Sequence, residues 1–560
     1  MTVTKRQRGR AVMAIATVAI IAISANLATA CETCTRAREA LFADPPKLAQ
    51  GLGLIHMPVT TDNKEAQCYF DQGVAYLYAF NHDEAARNFR QAAALDPNLA
   101  MAHWGVAYAL GPNYNLPADS THLALCWEAI QKAVALKQHA SPREQAYIDA
   151  MAKRYAADVA SPRAPLDSAY NRAMRDLMQA YPDDLHAAVM FVESGMNLRP
   201  WKLWTNDGTP EPGTLELVAT LERVLQRDPG HTGANHYYIH CVEASTDPER
   251  ALSACTRLDT LAPNAGHLVH MPAHIYSRTG DYARSAKSNA DGAAIDEKYL
   301  ATAPKGNMYG LMYYHHNVHF LSVAQQMEGK YEASLANAQR LENSVSEYIK
   351  DVPLLEGVYL TSLLCYVRFN RWSEILALPK PDPSLKTITA LWHYARATAL
   401  VESARLKDAK KEFKAYRTAA AAVPPENLIG FWNSAQYVFT ITDDVLTARL
   451  LDAEGKTDSA VVLLQRAVIA EDNLAYDEPE GWYIPVRETL GAYLLKLGRA
   501  VEAEQVFRDE LQKHKRSGRA LFGLREALKA QGDTENAQLI ELQFQTAWRN
   551  ADTQLRLEDL

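Results

Sequence analysis

The chain has 560 residues, 48% of them hydrophobic and 22% charged, with 26 Gly and 26 Pro scattered along its length. That is more than one compact core usually serves, so the chain requires several domains or one elongated array of repeats. A net charge of −8 without any basic stripe excludes nucleic acid as the main partner, because phosphate binding needs clustered Lys and Arg.

The chain opens with Lys5, Arg6, Arg8 and Arg10, followed by the apolar run Ala11 to Ile23 and the small residues Ala28-Thr29-Ala30. This order predicts a signal peptide over 1–30, hence export to a bacterial periplasm and no transmembrane span after cleavage. The run is short for an uncleaved anchor helix. Cys31 follows directly, but Ala28 stands where a lipobox has Leu, so a lipid anchor at Cys31 is the minority reading. The other cysteines are Cys34, Cys68, Cys126, Cys241, Cys255 and Cys365. An oxidising compartment allows some of them to pair. Cys31-Glu32-Thr33-Cys34 lacks the His that a c-type haem site would add.

Residues 31–65 read as an N-terminal extension. From about residue 66 the periodicity is helical, and it repeats. Gly73, Tyr76, Ala85, Phe89, Ala92 and Pro97 fall at positions 8, 11, 20, 24, 27 and 32 of a 34-residue unit. Small residues let two helices approach, aromatic rings fill the gap, and Pro stops the second helix. The register recurs at Pro229, Ala251 and Pro263, at Gly280-Asp281-Tyr282, at Gly329-Lys330-Tyr331, and at Ala397, Ala409 and Phe413. It recurs again at Gly455 and Ala460, at Gly491, Gly498, Ala503 and Phe507, and at Gly532 and Ala537.

The chain therefore resembles tetratricopeptide-repeat (TPR) proteins over 66–545. The resemblance implies an all-α fold, a right-handed superhelix (α-α solenoid) of about nine to eleven helical hairpins with a concave groove. Its expected parts are first repeats over 66–110, an irregular helical segment over 111–231, His-rich repeats over 232–350, C-terminal repeats over 351–545 and a tail over 546–560. The Pro/Gly/Trp loop 198–213 either bridges two repeats, the preferred reading, or covers the groove.

Nine of the 17 histidines fall between 231 and 319, several times their even share. His236, His240 and Glu243 are spaced i, i+4, i+7; His267, His270 and His274 are spaced i, i+3, i+7; His316 and His319 are spaced i, i+3. Each set lies on one helical face. Counted from Pro229, Pro263 and Gly329, these residues take positions 2, 5, 9 and 12 of their units, and Pro182 puts His186 at 2 and Glu193 at 9. The resemblance to TPR proteins implies that such positions line the groove, whereas 8, 11, 20, 24 and 27 form the packing seam. Pro272 should break the face of His267, His270 and His274 if the helix starts only at Met271.

Imidazoles and carboxylates at those positions are metal ligands at neutral pH. Eight His and two Glu exceed the needs of one tetrahedral ion, so two ions, or one ion with supporting His, fit the count. The set suits transition metals; export and Met271, Met308 and Met312 favour copper over Zn, Fe and Mn. Tyr237, Tyr238, Tyr276, Tyr313 and Tyr314 surround the cluster, most simply as seam filling. The segments ANHYYIHCVEAS and HLVHMPAHIY are similar to those of bacterial exported TPR proteins, which implies fold and export but no activity.

Three functions follow from the residues: a periplasmic metalloprotein with redox chemistry, a non-enzymatic scaffold holding a peptide or partner protein, and a metal store or chaperone. No nucleophile elbow, Walker loop, dinucleotide fingerprint or HExxH motif is present. Gly357, Leu360 and Leu364 make the later groove apolar, either for a ligand or for closure onto another segment. The acidic run 477–482 is most simply a loop between repeats.

Overall fold

The computed structural model describes residues 32–560, with side chains from 35 onward. The expected signal peptide over 1–30 and Cys31 lie outside the described residues. The chain forms two compact units: residues 32–275 with Asp291–Tyr314, and Tyr276–Ala290 with His315–Leu560. This division runs through the His-rich stretch 232–350. Both units are built of successive helical hairpins, as the tetratricopeptide pattern requires; the strands among the described residues are two short ones, Leu428–Ile429 paired with Asn433–Ser434. None of the described helices is long and apolar enough to cross a membrane. Cys68, Cys126, Cys241 and Cys365 are free thiols, all buried except Cys68.

In the first unit, helix Lys64–Tyr78 starts at Asn63, whose side chain accepts hydrogen bonds from the amides of Glu65 and Ala66. It packs antiparallel to helix His82–Leu95, and Phe89 fills the joint. A Cβ at Gly73 would come within 2.6 Å of the Phe89 ring, and one at Gly105 within 2.5 Å. The second unit repeats the device: Gly491 and Gly523 press on Phe507 so closely that any Cβ there would collide with the ring. Glycine, aromatic and glycine follow at the same intervals in both places. The register read from Gly73, Phe89, Gly491 and Phe507 therefore has a steric basis, and Gly105 and Gly523 complete it.

Helices in both units end alike. The residue after the cap takes a left-handed turn, and the next amide reaches back to the last turn, as Lys330 N to Gln325 O (3.0 Å) and Arg499 N to Leu494 O (2.9 Å). Glycine fills that turn at 280, 329, 455, 498 and 532; Phe80, Asn370 and Ala404 fill it elsewhere, at φ of 55°, 56° and 56°.

In the second unit, Gly357 lies 3.3 Å (from its would-be Cβ) from the backbone of Ile429 and Gly430, so this part closes onto another segment. The acidic run is a loop but a buried one. The Asp477 carboxylate accepts from the amide of Phe431 (2.7 Å), and Trp482 is 1% exposed. Beneath it, His514 stands between Glu480 (3.2 Å) and Glu510 (2.5 Å). Burial opposes its charge, but the two carboxylates prevail and raise its pKa from 6.5 to about 10.

Two outcomes are expected. Gly→Ala inside a helix ordinarily gains about 0.5–1 kcal/mol, but Gly73→Ala and Gly491→Ala should each lose about 1–3 kcal/mol in urea unfolding, because the ring cannot move aside. The His514 contact contributes stability that is complete below pH 6.5 and is lost as pH rises toward 10. His514→Gln should remove that part of the alkaline slope in pH-dependent unfolding; an unchanged slope would contradict the assignment.

Candidate metal centre

Helix Thr232–Val242 carries His236 and His240. His231 caps it, its Nδ1 accepting from the amide of Ala234 (3.2 Å). Gly233 admits the Tyr78 ring, which a Cβ would meet at 2.6 Å. The next hairpin supplies Gly266–His270 and, after Met271, Pro272–Arg278. The helix does break at Pro272, yet the amides of Met271 and His274 still reach His267 O and Met271 O (3.0 and 3.2 Å). The three-His face survives because the turns on either side of the break stay bonded, and the rings of His267, His270 and His274 remain neighbours.

His236, His240, Glu243, His267, His270 and His274 are each at most 2% exposed. The groove expectation needs correction here: these groups are enclosed, and peptides or solvent do not reach them. Their polar atoms form one connected set. His236 Nδ1 donates to the carbonyl of Tyr78 (2.7 Å), which leaves Nε2 as its lone-pair atom. That Nε2 lies 3.2 Å from His267 Nε2. Glu243 holds His240 Nδ1 at 2.9 Å with one oxygen and His274 Nδ1 at 2.7 Å with the other. His274 Nε2 in turn lies 2.8 Å from His270 Nε2. His240 Nε2 is buried with no hydrogen-bond partner.

Electrostatics follow from that wiring. Burial, reinforced by neighbouring His240, pushes His236 far below the usual imidazole range and keeps it neutral. Burial also opposes charge on Glu243, but His240 and His274 outweigh it and hold the carboxyl ionised. Glu243 accepts from His240 Nδ1 and the Tyr78 carbonyl from His236 Nδ1, so both of these rings turn Nε2 lone pairs inward. Oriented imidazoles backed by a carboxylate or carbonyl are the form in which histidine binds metal. Ligand atoms of His236, His240 and His267 lie within 4.8 Å of one another. A tetrahedral ion with N ligands at about 2.0–2.1 Å separates them by roughly 3.3 Å, close to the His236–His267 spacing.

Two expected residues, His186 and Glu193, stand elsewhere in this unit. His186 Nδ1 meets the Tyr78 hydroxyl (2.8 Å), and the His186 ring lies beside His231, 5.0 Å between centroids. Glu193 accepts from Tyr108 (3.1 Å) and Asn197 (2.5 Å) and is raised above the usual carboxyl range by burial. Each has found a neighbouring hydroxyl or amide. His316 and His319 belong to the second unit: His316 packs on Phe320 and Phe431, and His319 faces Tyr483, burial lowering its pKa to about 4.

Sequence reasoning missed the cover. Phe80 stacks on His240 and His267 (5.7 and 5.2 Å) and meets His236 edge-on at 4.4 Å. Trp201 lies 5.9 Å from His240, stacked on Tyr114 at 5.4 Å. Both aromatics have positive φ, 55° and 60°. Such backbone costs a bulky residue about 1–3 kcal/mol and persists only when its surroundings hold it. Loop 198–213, expected chiefly as a bridge, is also this lid: Trp204 Nε1 pins it to the carbonyl of Cys241 (2.7 Å). On the other side the π-helical turn Gly310–Tyr314 sets Tyr313 4.8 Å from His267. The one sequence signal was Phe80 itself, a bulky residue at the turn position that other repeats give to glycine.

Phe80→Ala should destabilise by about 3–5 kcal/mol through loss of the ring. Phe80→Gly should be about 1 kcal/mol more stable than Phe80→Ala, because only glycine adopts that turn freely. Urea unfolding of the pair checks the order; Ala above Gly would refute the strained turn.

No protein-family model and no curated protein sequence matches the chain. Solved structures do. A human IFIT1 dimer with PPP-AAAA shares 12% identity at a TM-score of 0.34, covering 94% of this chain and 95% of its own. Yeast Tom70 shares 10% at 0.27, covering 86% and 90%, and the P58(IPK) TPR domain 11% at 0.19, covering 84% and 99%. At these values any functional argument rests on the chain's own residues, whose helical hairpins are of the tetratricopeptide type.

Proposed function

We propose that this is an exported tetratricopeptide-type protein whose first unit holds a transition-metal ion through His236, His240 and His267, with His270, His274 and Glu243 as its flank. The observation that carries the reading is the shared orientation of the imidazoles. His236 and His240 have Nδ1 engaged by oxygen and Nε2 turned toward one small volume that His267 also reaches. A cluster serving only to fill a core has no reason to leave His240 Nε2 buried without a partner. The Nε2 pair of His270 and His274 offers room for a second ion or for support of the first.

Imidazole nitrogen sets bind copper most tightly among divalent first-row metals, so copper is the expected ion, with zinc next. Export rests on the basic, apolar and small-residue order of residues 1–30, and a periplasmic location follows from it. Burial of the cluster favours a metalloprotein over a scaffold using these histidines to hold a peptide, because a peptide could not touch them. Redox chemistry and storage remain the two uses such an ion would serve; a site sealed by aromatic rings favours a firmly held ion over an exchanging one.

The test uses the full chain, exported and purified without a His tag, with metals measured by elemental mass spectrometry. About one or more equivalents of copper or zinc should be present, and should be lost in His236→Leu/His240→Leu with helicity kept. His139→Ala, an exposed histidine, should retain the metal in full. No metal as isolated and no saturable uptake on titration of Cu²⁺ or Zn²⁺ would sink the proposal.

A further inference from the structure

Beyond the histidines, on the other face of Phe80, the first unit contains a cavity of about 390 Å³. That lies at the lower end of the ~300–1,000 Å³ of small-molecule sites. Its inner wall is the ring of Phe80 with Tyr309 and Tyr313, themselves 5.2 Å apart between centroids; Leu110, Leu116 and Met308 complete the apolar lining. Phe80 and Tyr313 are also the rings that touch His267, so one aromatic layer separates the cavity from the imidazole cluster.

The charged groups in the wall answer one another. Arg38 Nε donates to Asp83 at 2.8 Å, and Asp119 accepts from both the ring and the amide of His122 at 2.8 Å. A bound anion would find no uncommitted cation. His82 is the exception among the polar lining: its ring is stacked on Phe80 at 5.6 Å, and both its nitrogens are shielded from water with no hydrogen-bond partner. Such groups are ordinarily paired, which makes His82 the unsatisfied polar side chain of this wall. Burial lowers its pKa to about 4, so at neutral pH it both donates and accepts.

We propose that this cavity binds an uncharged hydroxylated aromatic molecule of the phenol or naphthol class, its ring against Phe80 and Tyr313 and its hydroxyl on His82. Aromatic walls supply stacking, His82 supplies one directional hydrogen bond, and the paired charges exclude anionic relatives. The bound ring then sits one aromatic layer from the candidate metal centre. Binding itself needs no metal, so this site stands or falls separately from the metal reading.

The probe is 2-naphthol, titrated calorimetrically into the full chain both metal-stripped and metal-loaded. Saturable one-to-one binding is expected in both forms, with naphthalene and 2-naphthoate each about tenfold weaker, the loss of one well-placed hydrogen bond or the burial of an unanswered charge. His82→Leu should bring 2-naphthol down to the affinity of naphthalene while leaving naphthalene unchanged. Ala118→Trp, at the partly exposed rim, should abolish both. Circular dichroism verifies that each variant is folded. Absence of saturable 2-naphthol binding, equal affinity for 2-naphthoate, or binding unaffected by Ala118→Trp would each overturn the proposal. Binding confined to the metal-loaded form would also overturn it, by placing the ligand on the ion instead.

Discussion

One carboxylate governs the first unit's interior. Glu243 sits 1% exposed and shares its two oxygens between His240 and His274, on two different hairpins. A buried charge of this kind is expensive unless paired, and the His240 hydrogen bond together with the His274 contact makes it tolerable. For His240, tautomer, ring orientation and the direction of the lone pair descend from that ionised group. Tyr78 performs the same service for His236 with a neutral carbonyl, which orients the ring without adding charge.

Above this network lies a cover made from residues far apart in the chain. Phe80 comes from the end of the first helix of a hairpin, Trp201 from an irregular loop, Tyr313 from a π-helical turn. Each depends on a backbone geometry that regular secondary structure does not supply. Around the histidines the fold thus brings together a helix-end turn, a loop and a π-helical turn.

This explains what could be read in the sequence. The hairpins were legible because a glycine facing a phenylalanine leaves a size signature at fixed intervals, as at Gly73 and Phe89. The shared face of His236 and His240, or of His267, His270 and His274, was legible because helical spacing alone dictates it. Burial was not, since position within a repeat says which way a side chain points and nothing about what lies over it. His186 and Glu193 show the same limit: they hold equivalent repeat positions but are taken up by Tyr78 and Tyr108, partners contributed from remote segments. Pro272 interrupts its helix, but one missing amide leaves the neighbouring turns bonded and the three-His face together.

The Phe89 ring has a consequence of another kind. It is gripped by Gly73 from its own hairpin and by Gly105 from the following one. Neither hairpin can melt alone without baring a large ring that the other still contacts. Neighbour-to-neighbour terms of this sort are what turn a row of small, individually weak elements into a cooperative array. A ring shared across a junction therefore acts as a rivet, and the spacing of rivets along the chain sets how far a local opening can spread before the next hairpin stops it.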